Sequence, residues 1–308
     1  MPEDQNYNAE WWNIRVNNFC KKILGWHQLG TSNIDVKGGP KKEKYGLDSV
    51  FAYRNHKNSN QQVIIIEAKY REDMKSLPRS EIQKWVNRLL EKIENVPSSQ
   101  DFHNKFTPDN NAYFHRGFIL TWVNQNKTFD TKLFSERLQE IEIVGKNQAD
   151  FIYIIGNDII LRFCAIQNEI NNLYLSNEYM DINFYVPTNS SELVCDGNSI
   201  PIEVLFSDFV WYKTRKKQSL VGSNEHHEYN ASICFYFGEI HTKHDLNFID
   251  LAIRDSGLHN SSLVEVYLIT PLSNIRSEIE GHKRNSQFTI NYKNLNIPDS
   301  IPSWLGEP

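Results

Sequence analysis

VIIIEAKY, Val63–Tyr70, is the stretch on which the reading of this 308-residue chain turns. Its first half is an apolar, β-branched run of the kind that fills the middle of a sheet. Its second half sets Glu67 and Lys69 two residues apart. Side chains alternate across a strand, so both point to one side, with Ala68 opposite. A carboxylate and an ammonium at the end of an apolar strand cost free energy unless they have partners. Upstream, GLDSVFAY (Gly46–Tyr53) reads as a second strand with Asp48 near its start. The polar RNHKNSNQQ between the two reads as a hairpin connection. A one-residue slip in pairing reverses every side chain, so the expectation is sharp: Asp48 opposite Glu67 or Lys69, not opposite Ala68, with all three groups on one face. Two carboxylates on neighbouring strands form a hard-oxygen site suited to Mg²⁺ or Mn²⁺, and the Ala68 carbonyl can add a further oxygen. Lys69 beside them can hold a water for attack or stabilise charge on a phosphate.

Asp48 followed by Glu67-Ala68-Lys69 closing an apolar strand resembles the D-(x)n-E-x-K signature of the PD-(D/E)XK nuclease superfamily. Leu47 stands where the strict signature has proline, with Gly46 before it, a departure that many members share. The resemblance implies a restriction-endonuclease-like fold over residues 1–176: an α/β protein whose mixed sheet is flanked by helices. It also implies Mg²⁺- or Mn²⁺-dependent hydrolysis of phosphodiester bonds, leaving a 5′-phosphate. Asp48, Glu67 and Lys69 are then the catalytic residues. Helical spacing of Trp12, Val16, Phe19, Cys20, Ile23 and Leu24 predicts an opening helix over 9–24. Glu10 at its start has two readings that stay open: a partner of the helix dipole, or the additional metal ligand that the resemblance implies. Trp11 and Trp12 read as core rather than as base-stacking platforms.

Composition sets the outer limits. The length suits two domains, and 40% hydrophobic residues are enough for a packed core. No run reaches the length of a membrane span, and the polar, acidic opening MPEDQNYNAE has no secretory leader. Cys20, Cys164, Cys195 and Cys234 are scattered without a C-x-x-C pair, as in a cytosolic protein with packing thiols. The net charge of −5 gives no general attraction for nucleic acid, so any such contact must use local basic patches. One candidate is Lys41, Lys42 and Lys44, just ahead of Asp48, where phosphate contacts would position a substrate. No P-loop and no G-x-S-x-G elbow is present.

Beyond the hairpin, Pro78 and Ser80 open a helix to about Glu94, with Ser80 and Gln83 spaced as a capping box. PSSQDFHNKFTPDNN reads as a loop, followed by a strand over Ala112–Val123, a helix over Asp130–Ile141, the strand Phe151–Ile155 and a long helix from Asn157. From 177 to 308 the texture turns strand-rich and reads as a separate α+β accessory domain for substrate or partner binding, with INFYV, IPIEVLF, DFVWYK, ASICFYF, LVEVYLIT and QFTINY as strands. No internal repeat is visible. KTRKK, with Lys213, Arg215, Lys216 and Lys217, follows an aromatic strand and suits backbone tracking of nucleic acid. His226, His227, His241 and His244 lie close in sequence, but adjacent His226 and His227 cannot point one way on a strand, so no zinc site is assigned.

The resulting expectation is a cytoplasmic, metal-dependent endonuclease acting on DNA or RNA. Its fusion of a nuclease core to an unrelated domain looks like an effector of anti-phage defence, working with a partner subunit. That role is carried by analogy. The rival is a catalytically inactive nuclease-like subunit that binds nucleic acid or a partner protein.

Overall fold

The computed structural model describes residues 2–40, 42–54, 60–143, 150–187, 199–219, 226–283 and 286–307. The chain divides into two compact units. One comprises Met1–Leu161, Ser199–Ile202 and Asp299–Pro308; the other comprises Arg162–Asn198 and Glu203–Pro298.

In the first unit, helix α1 (Pro2–Asn18) runs into a π-helical turn (Phe19–Ile23). Strand β1 (His27–Leu29), a small hairpin of β2 (Ile34–Gly38) and β3 (Glu43–Leu47), β4 (Ser49–Arg54) and β5 (Gln61–Arg71) follow. Then come α2 (Arg79–Asn95), α3 (Gln100–Phe106), β6 (Tyr113–Val123), α4 (Thr131–Gln139), β7 (Phe151–Ile155) and the start of α5 (Asn157–Leu175). The five-stranded sheet has the order β1-β4-β5-β6-β7, antiparallel across its first two pairs and parallel across the last two. The alternation of β5 decides what each face buries. Val63 and Ile65, with Val50, Ala52 and Ile119, pack under Ile82, Trp85, Leu89 and Ile93 of α2, each valine, leucine or isoleucine among them contributing about 1.5–3 kcal/mol by leaving water. Gly117 permits that approach, since a Cβ there would lie 2.6 Å from Leu89 Cδ2. On the opposite face α1 is anchored by Trp12, whose Nε1 donates to the Leu120 carbonyl at 3.1 Å and whose ring lies 5.9 Å from that of Trp122.

Two local expectations are corrected here. The stretch read as a loop after α2 contains α3, which Ser99 caps by accepting from Phe102 N–H at 3.1 Å while Phe102 and Phe106 are buried. The Ser80–Gln83 capping box does not form, because Pro78 takes the cap position and Ser80 already lies inside the first turn. Gln83 instead donates to the Glu142 carbonyl at 2.7 Å and accepts from Glu142 N–H at 2.9 Å.

In the second unit, α5 is followed by β8 (Tyr179–Tyr185), β9 (Phe209–Ser219), β10 (His226–Tyr236), α6 (Lys243–Asp255), β11 (Leu263–Leu268), α7 (Arg276–Lys283) and β12 (Ile290–Asn294). Its sheet has the order β8-β9-β10-β11-β12, again antiparallel across two pairs and then parallel across two. Helices α6 and α7 cover one face through Leu246, Ile249, Ile253 and Ile279 over Cys234, Val264 and Val266. Helix α5 covers the other, with Phe163 against Phe237 and the Tyr174 hydroxyl donating to the Ile182 carbonyl. Apart from the β2–β3 hairpin and α3, the two units share one plan: helix, three antiparallel strands, helix, parallel strand, helix, parallel strand. The repeat is in topology and leaves no trace in the sequence. IPIEVLF, expected as a strand, forms a 3₁₀ turn (Ile202–Phe206), and β9 extends through the whole basic run.

Candidate functional site

Strand β3 ends at Leu47 and β4 begins at Ser49, so Asp48 occupies the bend where the chain passes from the small hairpin into the main sheet. Its carbonyl accepts from Asn33 N–H at 2.9 Å. Ser49 pairs with Ile66, which brings Asp48 level with Glu67 one step further on. The carboxylate turns onto β5 and accepts from Ala68 N–H at 2.8 Å through Oδ2. Lys69 Nζ lies 2.6 Å from Glu67 Oε2 and 3.8 Å from Asp48 Oδ2. The structure thus brings Asp48, Glu67 and Lys69 together on the face covered by α2.

A fourth charged group completes the cluster. Lys92 of α2 reaches down to the sheet and donates to Glu67 Oε1. It lies three residues after Leu89 and four before Val96, on the buried stripe of the helix. A lysine at such a position is the sequence signal that could have found it. Exposure grades across the cluster, from 5% for the Glu67 side chain through 14% for Lys92 and 20% for Lys69 to 28% for Asp48. The cluster therefore opens to solvent on the Asp48 side.

The environment separates the two carboxylates. Burial, and then repulsion from Glu67, raises the Asp48 carboxyl above its ordinary value against the pull of Lys69, the Ala68 N–H and Lys92. Burial also opposes ionisation of Glu67, but the adjacent Lys69 and Lys92 outweigh it and hold the carboxyl below its ordinary value. Glu67 is the fixed charge of the pair, and Asp48 is the more easily neutralised.

The donor chemistry fits a hard divalent cation. Asp48 and Glu67 supply carboxylate oxygens. In an extended strand a residue's N–H and C=O leave on the same side, so the Ala68 carbonyl emerges on the edge where its N–H meets Asp48. All are oxygen donors of the kind Mg²⁺ and Mn²⁺ take. Glu10 is not brought in: it is exposed on α1, and no hydrogen bond or ion pair joins it to Asp48 or Glu67. Among the described residues, no group of three His, Cys, Asp or Glu side chains is placed to hold a metal, which also covers the described histidines near β10.

The family described as the GAPS4 protein PD-(D/E)XK nuclease domain matches residues 1–159. The chain belongs to this family. It carries a PD-(D/E)XK nuclease domain of an anti-phage system, in an α/β fold with mixed sheets flanked by helices. The matched residues contain the whole Asp48–Glu67–Lys69–Lys92 cluster and every strand of the first sheet. No curated protein and no solved structure shows a significant match to the chain.

The other basic residues singled out in the sequence have their own surroundings. Lys41 falls outside the described residues. Lys42 sits in the β2–β3 turn and Lys44 on β3, both exposed. At the rise of an extended strand, Lys44 and Lys42 stand roughly 13 and 20 Å of chain before Asp48, and neither makes a hydrogen bond or ion pair to the described residues of the cluster. In the second unit the strand β9 places its charges among acids. Arg215 donates to Asp181 Oδ2 at 3.0 Å and to Glu228 Oε2 at 3.2 Å. Lys216 points to the other face, 2.6 Å from the Tyr179 hydroxyl and 3.2 Å from Glu265 Oε1. Lys213 lies 3.8 Å over the Tyr185 ring, and Lys217 is half-buried. Cys20, Cys164 and Cys234 are free and buried, and Cys195 lies outside the described residues.

Proposed function

We propose that the chain is a Mg²⁺- or Mn²⁺-dependent endonuclease that hydrolyses phosphodiester bonds in DNA or RNA as an effector of anti-phage defence. The observation that carries this reading is the convergence of Asp48, Glu67 and Lys69 at a strand end that opens to solvent. Asp48, Glu67 and the Ala68 carbonyl would hold the cation, which when bound would supply positive charge to offset that gathering on the phosphoryl oxygens. Lys69, fixed by Glu67, positions the attacking water and stabilises the developing negative charge. The water oxygen bonds to phosphorus and its proton is released. The bond to the 3′ oxygen breaks, and that oxygen leaves with a proton, giving a 5′-phosphate and a 3′-hydroxyl.

The second unit serves as an accessory module for substrate or partner binding, and a partner subunit supplies recognition that this acidic chain lacks. Among the described residues no helix is long and apolar enough to cross a membrane, which is compatible with action in the cytoplasm. The test is incubation of the full chain with plasmid DNA and total RNA in Mg²⁺ or Mn²⁺. Wild type cleaves one of them and Lys69→Ala does not; equal products from both, or from neither, overturn the reading.

One observation favours the rival, an inactive nuclease-like subunit: both Glu67 oxygens are engaged by ammonium groups. That subunit would bind nucleic acid equally well after Asp48→Ala or Glu67→Ala and would show no thermal stabilisation by Mn²⁺ even with an uncleavable oligonucleotide present.

A further inference from the structure

We propose that Lys92 is a positioning residue that competes with the divalent cation for Glu67, so that the free chain binds the cation weakly and takes it up together with an anionic phosphodiester. This rests on the metal-dependent reading of Asp48 and Glu67.

Each Glu67 oxygen has its own ammonium. Lys69 takes Oε2 at 2.6 Å, and Lys92 takes Oε1. The Glu67 side chain is 5% exposed, so little water competes for either oxygen. Asp48 already spends Oδ2 on the Ala68 N–H. Two carboxylates and two ammonium groups sum to zero charge. A dication entering this balanced, partly desolvated cluster leaves an excess of two positive charges, and at a few ångströms such repulsion is large. A phosphodiester arriving with it brings a negative charge that both offsets the excess and attracts an ammonium. Without Lys92 the cluster carries one negative charge and accepts a dication directly.

The two lysines are not equivalent in this. Lys69 stands two residues from Glu67 on the same strand, held by the sheet. Both heads sit on flexible four-carbon stems, but Lys92 reaches Glu67 from a separate element, α2, so its head can leave Glu67 while β5 stays in place. The first lysine belongs to the E-x-K pattern; the second is supplied by packing of α2 on the sheet.

The experiment is titration of the full chain with Mn²⁺, following free Mn²⁺ by electron paramagnetic resonance. It is run alone, with a short phosphorothioate oligonucleotide, and with its uncharged methylphosphonate counterpart. Lys92→Met keeps the apolar stem, and Lys92→Gln serves if the methionine variant misfolds. Wild type is expected to bind Mn²⁺ about tenfold or more tightly with the phosphorothioate and unchanged with the methylphosphonate. Lys92→Met is expected to bind Mn²⁺ alone about tenfold or more tightly than wild type, with little further gain from either oligonucleotide. If both Lys92 variants fold and bind Mn²⁺ no more tightly than wild type, while Glu67→Gln abolishes binding, the role of Lys92 is overturned and the metal site stands. If Glu67→Gln leaves Mn²⁺ binding unchanged in every background, the metal reading itself falls.

Discussion

The two units lay down their sheets in the same strand order and with the same pattern of directions, yet they put opposite chemistry at the same place. Toward the carboxyl end of β5, the central strand of the first five-stranded sheet, on the face covered by the following helix, stand Glu67 and Lys69, with Asp48 in the bend just before the neighbouring strand β4. The matching end of β10 carries Cys234 and Tyr236, with Phe209 opposite Tyr236. The Phe209 ring lies 5.1 Å from Trp211 and 4.8 Å from Tyr236. One strand end is a charged, part-open cluster and the other is aromatic packing. The plan of the sheet therefore does not carry the chemistry. The side chains placed at its carboxyl edge do.

The largest expected effect tests this contrast directly. Asp48→Ala or Glu67→Ala should lower single-turnover cleavage by about 10²–10³ or more, the loss typical of removing one stabilising group from a reacting centre. Phe209→Leu and Tyr236→Leu should lower the Tm and leave cleavage by the folded protein unchanged. Equal losses of cleavage at both strand ends would break the comparison.

Much of the first strand end was legible in the sequence because its rules are local. The two-residue period of a strand fixes Glu67 and Lys69 on one side, and the hairpin register follows from keeping Val63 and Ile65 in the core. Lys92 was not legible as a partner, because its meeting with Glu67 depends on how α2 crosses the sheet. The partners of the KTRKK run were hidden in the same way: the counter-charges of Arg215 and Lys216, Asp181, Glu228 and Glu265, come from three different strands. Helix α3 was hidden in a polar segment of seven residues, too short for periodicity to show. IPIEVLF is as apolar as a strand, and a short apolar run does not by itself distinguish strand from turn. The repeated fold is invisible because topology is kept by the pattern of buried positions rather than by residue identity.

A second contrast concerns buried carboxylates. Glu265 on β11 is fully buried, and its partners lie within its own unit: the Tyr179 hydroxyl at 2.5 Å, Lys293 at 2.8 Å and Lys216 at 3.2 Å. It is surrounded by structural partners, whereas Glu67 sits in a cluster open at one side. Glu265→Ala takes the carboxylate from Lys293 and leaves Lys216 only the exposed Glu178 at 3.7 Å, and should destabilise the protein by about 3–5 kcal/mol, read by urea unfolding. Glu67→Ala should cost less, about 1–3 kcal/mol, because Asp48 remains beside Lys69. A larger loss at Glu67 than at Glu265 would reverse the assignment of structural and functional roles.

The pH dependence of stability sharpens the same pair. Burial opposes the charge on Glu265, but hydrogen bonds from Lys293 and Tyr179 prevail and hold its carboxyl below the ordinary value. A depressed carboxyl contributes stability that is present above its unfolded value, about 4.3, and is lost as the pH falls through the lower folded value. Wild type and Glu265→Ala should therefore differ most at neutral pH and converge below about pH 4. Asp48, raised by burial and by Glu67, runs the other way: its contribution is present at low pH and is lost as the pH rises through its folded value. Asp48→Ala should accordingly steepen, not flatten, the rise of Tm between pH 3 and 6, measured by thermal melts across that range.

The smallest effect concerns what the first unit adds to the shared plan. Helix α3 ties the β2–β3 hairpin to the body of the unit: Asp101 accepts from Lys37 N–H at 2.8 Å, and Lys105 donates to the Asp35 carbonyl at 2.8 Å. The hairpin leads straight into Asp48, so α3 holds one side of the cluster through the chain, whereas Glu67 and Lys69 are held by the sheet. Ser99→Ala removes the cap of α3 and should cost about 1 kcal/mol. Only part of that loss reaches Asp48, so cleavage should fall by less than about tenfold, the rate equivalent of 1.36 kcal/mol. A fall comparable to that of Asp48→Ala would mean that the added hairpin and helix, rather than the sheet common to both units, hold the charged cluster in place.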